Sequence, residues 1–322
     1  MMKKYPCKLS YTAKTALWAG TRLKEEFGKQ SEFDTISETW ELSVRDNEMA
    51  LITNGEAAGK TLREYFELCS YDCVSPSFTG KDRFPLLVKL IDANDILSVQ
   101  VHPDDAYAAA VENDSGKTEM WYIVDAKEGA QLVYGLKPGV SREDFARATK
   151  EGRLKEVMNY CPVKKGQTYF IPAGMLHAIG AGILIAEIQQ NSDHTYRVYD
   201  FDRVGADGKL RPLHVEKALA VTRPFTDGEI EKIRFSCGKP QGNGELLACS
   251  DFFKVRCVKI DGSIKEAADK NSFVSIICLD GVGCIRHLGN EYPISKGDSY
   301  FIPADMGEYE IAGKLEVICS RI

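Results

Sequence analysis

Short apolar runs, rich in β-branched and aromatic residues and separated by Gly and Pro, recur along most of the 322-residue chain. Runs of this length, bounded by turn residues, are typical of β-strands in an all-β sandwich or barrel. The clearest examples are residues 86–90, 167–171, 183–188, 273–279 and 299–302. The pattern therefore predicts a mainly β fold.

Helical periodicity is confined to a few segments. Residues 141–160 carry apolar side chains at helical spacing and begin with Ser141, a residue type that often caps a helix N-terminus. Residues 61–68 and 212–221 are weaker candidates. We therefore expect a small helical insertion within the β fold.

One eleven-residue pattern occurs twice. Lys-Gly-x-x-Tyr-Phe-Ile-Pro-Ala-x-Met is found within residues 163–179 and again, without a gap, within residues 294–310. Such internal repetition predicts two copies of one β-module, the alternative being two hairpins that converged on similar turn residues. His177 of the first copy aligns with Glu308 of the second. Only the first module is therefore expected to hold a metal.

Composition narrows the classes of function. The net charge of −6 argues against nucleic-acid or anionic-membrane partners. No stretch reaches the ~18 apolar residues of a membrane span, and the first residues lack the apolar run of a signal peptide, so we expect a soluble cytoplasmic protein. The ten cysteines include no Cys-x-x-Cys pair, and most are expected to be reduced core residues.

Two histidines lie in patterns that predict a polar site inside the β fold. Ser98, Gln100 and His102 alternate with valines, so they share one face of a strand. His177 ends a Gly-x5-Pro-x-Gly-x2-His pattern that begins at Gly166, where a strand enters a tight turn. Taken alone, either histidine has the alternative of a hydrogen-bonded core residue.

The pattern that ends at His177 resembles the second sequence motif of the cupin superfamily and lacks only the final Asn of its usual form. The first cupin motif, normally His-x-His followed by Glu, here reads Gln100-x-His102-Pro, with Glu119 after an insertion. A Gln-x-His-Pro sequence with a displaced Glu resembles the type I mannose-6-phosphate isomerases, in their compact bacterial branch.

The resemblance covers most of residues 5–222. It includes residues 14–20, where the usual Pro-Trp-Gly-Gly of the family reads Leu-Trp-Ala-Gly, and extends through residues 36–41, 85–105 and 187–203. Beyond residue 225 the chain resembles the family only as a degenerate second cupin.

The resemblance implies a mainly β protein of two cupin (jelly-roll) β-barrels with a small helical insertion around residues 141–160. Residues 1–225 would form the N-terminal metal-binding cupin domain. Residues 226–322 would form the C-terminal degenerate cupin domain.

The resemblance also implies one zinc ion per chain, held by Gln100, His102, Glu119 and His177. The chemistry of the set supports this independently, because two imidazoles, a carboxylate and an amide oxygen suit Zn²⁺, with solvent or substrate completing the shell. Taken singly, Gln100 could be an ordinary polar strand residue and Glu119 a surface acid.

The family reaction interconverts mannose 6-phosphate and fructose 6-phosphate through an enediol(ate) that zinc stabilises. The resemblance assigns a catalytic role to Arg197 and places Glu187 near the metal, where it could shuttle protons. It does not say which group is the base.

Phosphosugar binding requires fixed cations and polar groups near the metal. We assign this role to Ser98, Lys117 and Arg203, since guanidinium forks and ammonium groups both bind phosphate. The alternative for Arg203 is an ion pair with Asp200 or Asp202. No glycine-rich phosphate loop is present, which disfavours nucleotide phosphate chemistry.

Two other functions remain open at this point. An Fe(II) dioxygenase of the cupin superfamily usually has three histidines, or two histidines and a carboxylate, and Gln100 together with the nearby cations disfavours it. A non-catalytic sugar-binding cupin fits the second module but not the intact constellation of the first. Of the remaining histidines, His194 is expected at the rim of the site, and His214 and His287 are expected to be structural or exposed.

Overall fold

The computed structural model describes residues 2–46, 48–205, 208–238 and 242–322. In these ranges the strands, in chain order, are β1 (Cys7–Leu9), β2 (Thr12–Lys14), β3 (Glu38–Leu42), β4 (Leu86–Ala93), β5 (Val99–Val101), β6 (Glu119–Ala126), β7 (Gln131–Leu136), β8 (Met158–Pro162), β9 (Thr168–Ile171), β10 (His177–Ala178), β11 (Ile183–Gln190), β12 (Tyr196–Tyr199), β13 (Glu245–Cys249), β14 (Lys254–Ala268), β15 (Val274–His287), β16 (Asn290–Ser295), β17 (Ser299–Ile302) and β18 (Gly307–Arg321). The α-helices are α1 (Arg22–Glu25), α2 (Leu62–Cys69), α3 (Asp105–Val111), α4 (Arg142–Lys150), α5 (Leu154–Val157), α6 (Val215–Val221) and α7 (Asp227–Arg234).

The strands form three antiparallel sheets. A six-stranded sheet has the order β2-β3-β4-β11-β6-β9, and a five-stranded sheet has the order β12-β5-β10-β7-β8. The seven-stranded third sheet has the order β1-β17-β15-β18-β14-β13, with β16 paired to β15. The N-terminal strand β1 thus joins the C-terminal sheet, where Cys7 pairs with Phe301.

The predicted mainly β fold is confirmed. Each of the five apolar runs lies wholly or largely in a strand, namely β4, β9, β11, β15 and β17. The finer prediction of two closed barrels is not confirmed, because strand pairing within the described residues leaves three open sheets.

The two copies of the repeat have the same local backbone. Strand β9 and strand β17 occupy equivalent places in their copies. Gly166 and Gly297, which precede them, have φ values of 86° and 89°. In the turn after the strand, Gly174 has φ 89° and its counterpart Asp305 has φ 59°, a left-handed conformation that is unusual for a residue with a Cβ atom. The repeat therefore conserves the turn even where glycine is replaced.

The helix predicted over residues 141–160 forms as two helices, α4 and the single-turn α5, and the prediction is wrong over residues 158–160. Helix α4 begins after Ser141, whose Oγ accepts a hydrogen bond from the backbone N–H of Asp144 at 3.0 Å, as an N-cap should. The helix ends at Lys150, because Gly152 adopts φ 69°. After the single turn of α5 the chain pairs with β7 as β8, so a strand replaces the last predicted turn.

The other two predicted helices agree with the structure to different extents. Helix α2 lies within one residue of the predicted 61–68, with Thr61 as its capping residue. The helix expected over residues 212–221 starts only at Val215. No helix among the described residues is long and apolar enough to cross a membrane.

The core positions the functional site by burying both faces of the six-stranded sheet. Every residue of β4 and β11 is buried. One face meets the C-terminal module, where the Tyr122 hydroxyl donates to Glu316 Oε1 at 2.6 Å. The opposite face, which carries Trp121 and Glu187, turns toward the five-stranded sheet. The five-stranded sheet packs its own apolar face on α4 and α6 through Phe145 and Ala218.

Candidate metal centre

Three predicted ligands converge between the two N-terminal sheets. His102 follows β5 and His177 opens β10, both in the five-stranded sheet, whereas Glu119 opens β6 in the six-stranded sheet. One ligand atom from each lies within 4.8 Å of the others, and all three side chains are buried. Residues distant in sequence thus form one compact cluster.

The backbone sets the orientation of both imidazole rings. His102 Nδ1 lies 2.8 Å from the carbonyl oxygen of His194, and His177 Nδ1 lies 2.9 Å from that of Met175. Because a carbonyl oxygen only accepts, each Nδ1 carries the proton and each Nε2 keeps its lone pair. The two Nε2 atoms lie 3.5 Å and 3.3 Å from the carboxylate oxygens of Glu119.

These residues fit a bound metal ion. Among the described residues, no hydrogen-bond partner reaches His102 Nε2, His177 Nε2 or either carboxylate oxygen of Glu119, although all four atoms are buried. Lys117 Nζ lies 3.1 Å from Glu119 Oε2 as an ion pair without hydrogen-bond geometry. Buried lone pairs without partners are costly, and one divalent cation would satisfy this set.

The protonation states of the cluster also suit a metal. Burial, with the charge of Lys117, lowers the pKa of His102 to about 3. Burial likewise lowers the pKa of His177. Burial alone would raise the pKa of Glu119, but Lys117 and the two imidazoles hold that pKa well below its usual value. At neutral pH the site therefore offers two neutral imidazoles and a carboxylate, the forms that ligate metals.

Gln100 and Arg197 lie beside the cluster on the five-stranded sheet. Gln100 on β5 pairs in register with His177 on β10 and with Arg197 on β12. Directly opposite residues of antiparallel strands share a face, so these three side chains form a row across the sheet. The structure thus places Gln100 next to the candidate ligand His177. Its own role as a ligand stays a prediction.

Two predicted substrate residues are in contact with each other. The half-buried Arg197 donates from Nε to Ser98 Oγ at 3.3 Å and from Nη1 to the carbonyl oxygen of Pro212 at 3.0 Å. Ser98 itself is buried. The guanidinium is therefore held in place at the end of the row, on the same face as His177.

The other two predicted substrate residues have different surroundings. Lys117 is buried and forms an ion pair with Glu119, one of the candidate metal ligands. Arg203 Nη2 lies 2.6 Å from Asp200 Oδ1, and Arg211 binds the same carboxylate. The ion-pair alternative thus describes the contacts of Arg203. A substrate role for either cation stays a prediction.

Glu187 lies in a buried polar pocket next to the cluster. Its Oε1 accepts from Trp121 Nε1 at 3.0 Å, and its Oε2 lies 3.4 Å from Lys89 Nζ, which also lies 3.5 Å from Glu38 Oε2. Burial and the negative charge of Glu119 raise the pKa of Glu187 despite Lys89. Sequence reasoning missed Lys89. The available signal was a lysine in the middle of an apolar strand.

The remaining N-terminal histidines support the site from outside. The carbonyl oxygen of His194, a residue predicted at the rim, accepts the hydrogen bond from His102 Nδ1. The ring Nε2 of His194 lies 2.8 Å from Asp114 Oδ2. His214 Nδ1 accepts from the backbone N–H of Arg197 at 3.2 Å. His214 therefore helps to hold the strand that carries Arg197.

A repeated β-module with a buried His-Glu-His cluster between two sheets defines a protein of the cupin class with a candidate metal site. The comparisons with known proteins agree. Residues 244–322 match the mannose-6-phosphate isomerase cupin domain, and residues 7–136 match the phosphomannose isomerase type I catalytic domain.

Similarity to individual proteins spans nearly the whole chain. The probable mannose-6-phosphate isomerase GmuF of Bacillus subtilis is 38% identical, with 98% of this chain and 99% of that protein covered. The mannose-6-phosphate isomerase of Streptococcus mutans is also 38% identical, over 95% and 94% of the two chains. The crystal structure of the Bacillus subtilis mannose 6-phosphate isomerase superposes with a TM-score of 0.88 at 34% identity, covering 98% and 99%. The chain belongs to the mannose-6-phosphate isomerase family and is an aldose–ketose isomerase.

Proposed function

We propose that the protein interconverts mannose 6-phosphate and fructose 6-phosphate, using one zinc ion per chain bound by Gln100, His102, Glu119 and His177. The observation that carries the proposal is the convergence of three buried candidate ligands whose ligand atoms have no hydrogen-bond partner among the described residues, in a chain of this family. The donor set of imidazole nitrogens and oxygens favours Zn²⁺.

The reaction moves hydrogen within the sugar and needs no redox cofactor. A proton leaves C2 of the aldose and the resulting enediol(ate) takes up a proton at C1, while the hydroxyl proton on O2 is lost and O1 gains one. The C1 aldehyde thereby becomes a hydroxyl group, and the C2 hydroxyl becomes a ketone. Bound zinc would supply Lewis-acid stabilisation of the negative charge that develops on these oxygens.

Glu187 is suited to carry the proton. A general base works best when its pKa lies near the working pH, and burial moves the pKa of Glu187 upward from the usual carboxyl range. The hydrogen bond from Trp121 fixes the carboxylate, and the Trp121 ring packs edge-on against His177 with centroids 5.4 Å apart. The proton carrier is thereby positioned next to the metal-ligand layer.

Arg197 is suited to bind negative charge on the substrate. Its guanidinium lies in the row that includes Gln100 and His177, and its contacts with Ser98 and Pro212 limit its freedom. A fixed guanidinium can stabilise either the phosphate or the enediolate. Lys117 and Arg203 are secondary candidates for the phosphate.

We further propose that residues 1–225 and 226–322 are two cupin modules, of which only the first is catalytic, with β1 of the first segment added to the sheet of the second. The matching backbone of the two repeat copies supports the duplication. In the second copy Glu308 stands at the position of His177, and its side chain is exposed. Within the described part of the chain, the His-Glu-His cluster of the first module is the one group that could hold a metal.

A coupled isomerase assay tests the proposal. Purified protein should convert mannose 6-phosphate and fructose 6-phosphate in both directions, lose activity after chelation, and regain it with zinc. Metal analysis should find one zinc per chain. An inactive protein that carries zinc would contradict the isomerase assignment, whereas bound iron with oxygen-dependent turnover would favour a cupin dioxygenase.

A further inference from the structure

A buried amide next to the candidate metal ligands has one end without a partner. Gln189 lies on β11 two residues beyond Glu187, so the two side chains share a face of the strand. On β6 its partner in register is the ligand Glu119. Gln189 is fully buried, which places its polar atoms out of reach of bulk solvent.

The contacts of the amide fix which end faces which way. Gln189 Nε2 lies 2.8 Å from the carbonyl oxygen of Gln190 and 2.6 Å from that of Ser192. Both carbonyls only accept, so the NH2 group must occupy this position, and the oxygen cannot exchange with it. The oxygen, Oε1, is buried and accepts no hydrogen bond within the described part of the chain.

No donor among the described residues reaches this oxygen, and a bound group can supply one. Two N–H donors on the same face are already engaged, since Trp121 Nε1 donates to Glu187 and Lys89 Nζ lies between Glu38 and Glu187. A buried carbonyl oxygen without a donor is costly, and native proteins rarely keep one without a function. Because Gln189 is the cross-strand neighbour of Glu119, a donor held at the metal centre would lie nearby.

We propose that Gln189 is a positioning residue whose Oε1 accepts a hydrogen bond from an O–H group held at the metal centre. This inference rests on the proposed isomerase function. Two sources can supply the O–H group, namely a water molecule on the metal or a hydroxyl of the bound sugar. In either case the amide, anchored through Nε2, orients the donor beside Glu119.

Two substitutions of Gln189 distinguish the role of the acceptor oxygen from that of the Nε2 contacts. Gln189→Met has a similar length and removes the acceptor as well as the Nε2 donors. Gln189→Glu keeps an acceptor oxygen but cannot make both Nε2 contacts, and its added charge would, if anything, favour cation binding. Because Gln189→Glu loses only the anchor whereas Gln189→Met loses the anchor and the oxygen, an effect of the oxygen should make the loss larger in the Met variant, with less than a tenfold loss in the Glu variant.

Zinc affinity and steady-state kinetics then identify the source. Competition with a chromophoric chelator gives the zinc dissociation constant, and turnover of fructose 6-phosphate gives KM and kcat. If the donor is metal-bound water, Gln189→Met should weaken zinc binding about 10- to 100-fold, as loss of an outer-shell partner typically does. If the donor is a sugar hydroxyl, zinc affinity should hold and KM should rise by about tenfold or more.

Other outcomes overturn the inference. Wild-type zinc affinity, KM and kcat in Gln189→Met would show that Oε1 needs no donor. Equal losses in the Met and Glu variants would assign the effect to the Nε2 anchor instead. Should the Met variant fail to fold, a tenfold loss in the Glu variant alone would also refute the proposal. Wild-type protein assayed in parallel separates these results from failure of the isomerase assignment, which would leave the wild type inactive as well.

Discussion

Replacing His177 with alanine should remove the metal and leave the fold intact. His177 supplies one of the four proposed ligands, and its Nε2 is buried without another partner among the described residues. Structural zinc sites with four ligands in zinc-finger peptides bind with about 10–16 kcal/mol, so one ligand is worth about 2.5–4 kcal/mol. The zinc dissociation constant should therefore rise about 10²- to 10³-fold.

The same change should appear in thermal stability. At a free zinc concentration of about 100 times the wild-type dissociation constant, binding stabilises the wild-type protein by about 2.7 kcal/mol. A variant that binds at least 100-fold more weakly would gain only about 0.4 kcal/mol under these conditions. At about 2 °C per kcal/mol for a chain of this size, zinc should raise the Tm of the wild type by about 5 °C and that of the variant by about 1 °C.

His287 provides a matched control. It is also a buried histidine anchored through Nδ1, here to the carbonyl oxygen of Glu308 at 3.0 Å, but it lies in the C-terminal module. His287→Ala should keep zinc, activity and the zinc-dependent shift in Tm. Metal content after dialysis, circular dichroism and thermal scans with and without chelator provide the measurements. Stoichiometric zinc in dialysed His177→Ala would show that His177 is not a ligand.

Three further predictions address the catalytic arginine, the second module and pH. If Arg197 stabilises charge that develops only in the transition state, Arg197→Lys should lower kcat about 10²- to 10³-fold with little change in KM. Wild-type values of both kcat and KM would show that Arg197 is not catalytic. Glu308→Ala should leave turnover near the wild-type level, since its side chain is exposed, and a tenfold loss in a folded variant would contradict a purely structural second module. Metal-free protein should lose stability as pH falls from about 6.5 toward about 3, because His102 readily takes up a proton in this range only in the unfolded chain. The contribution of His102 to the free energy of unfolding should fall by up to about 1.4 kcal/mol per pH unit. Urea midpoints that fall equally steeply in His102→Ala would assign the pH dependence to other groups.

Local sequence was sufficient to predict those strands and helix ends that depend mainly on neighbouring residues. The apolar runs of β4 and β17 and the cap of α4 at Ser141 depend on neighbouring residues, so their patterns predicted them correctly. The helix predicted over residues 141–160 was wrong in its last three residues, because pairing of β8 with β7 outweighed the helical periodicity there. Closed barrels depend on long-range strand order, which no local pattern contains.

The sequence by itself determined the family and predicted the candidate metal ligands, because Gln100, His102, Glu119 and His177 lie in motifs of characteristic spacing. Only the tertiary structure decided what surrounds them. The pairing of Lys117 with Glu119 inside the cluster depends on strands that meet across the site. The same holds for the buried contact between Lys89 and Glu187 and for the unpartnered oxygen of Gln189. Charge, burial and hydrogen bonding act between residues that are close in space. Many of these residues are far apart in the sequence, so a local motif does not show which of them will be in contact.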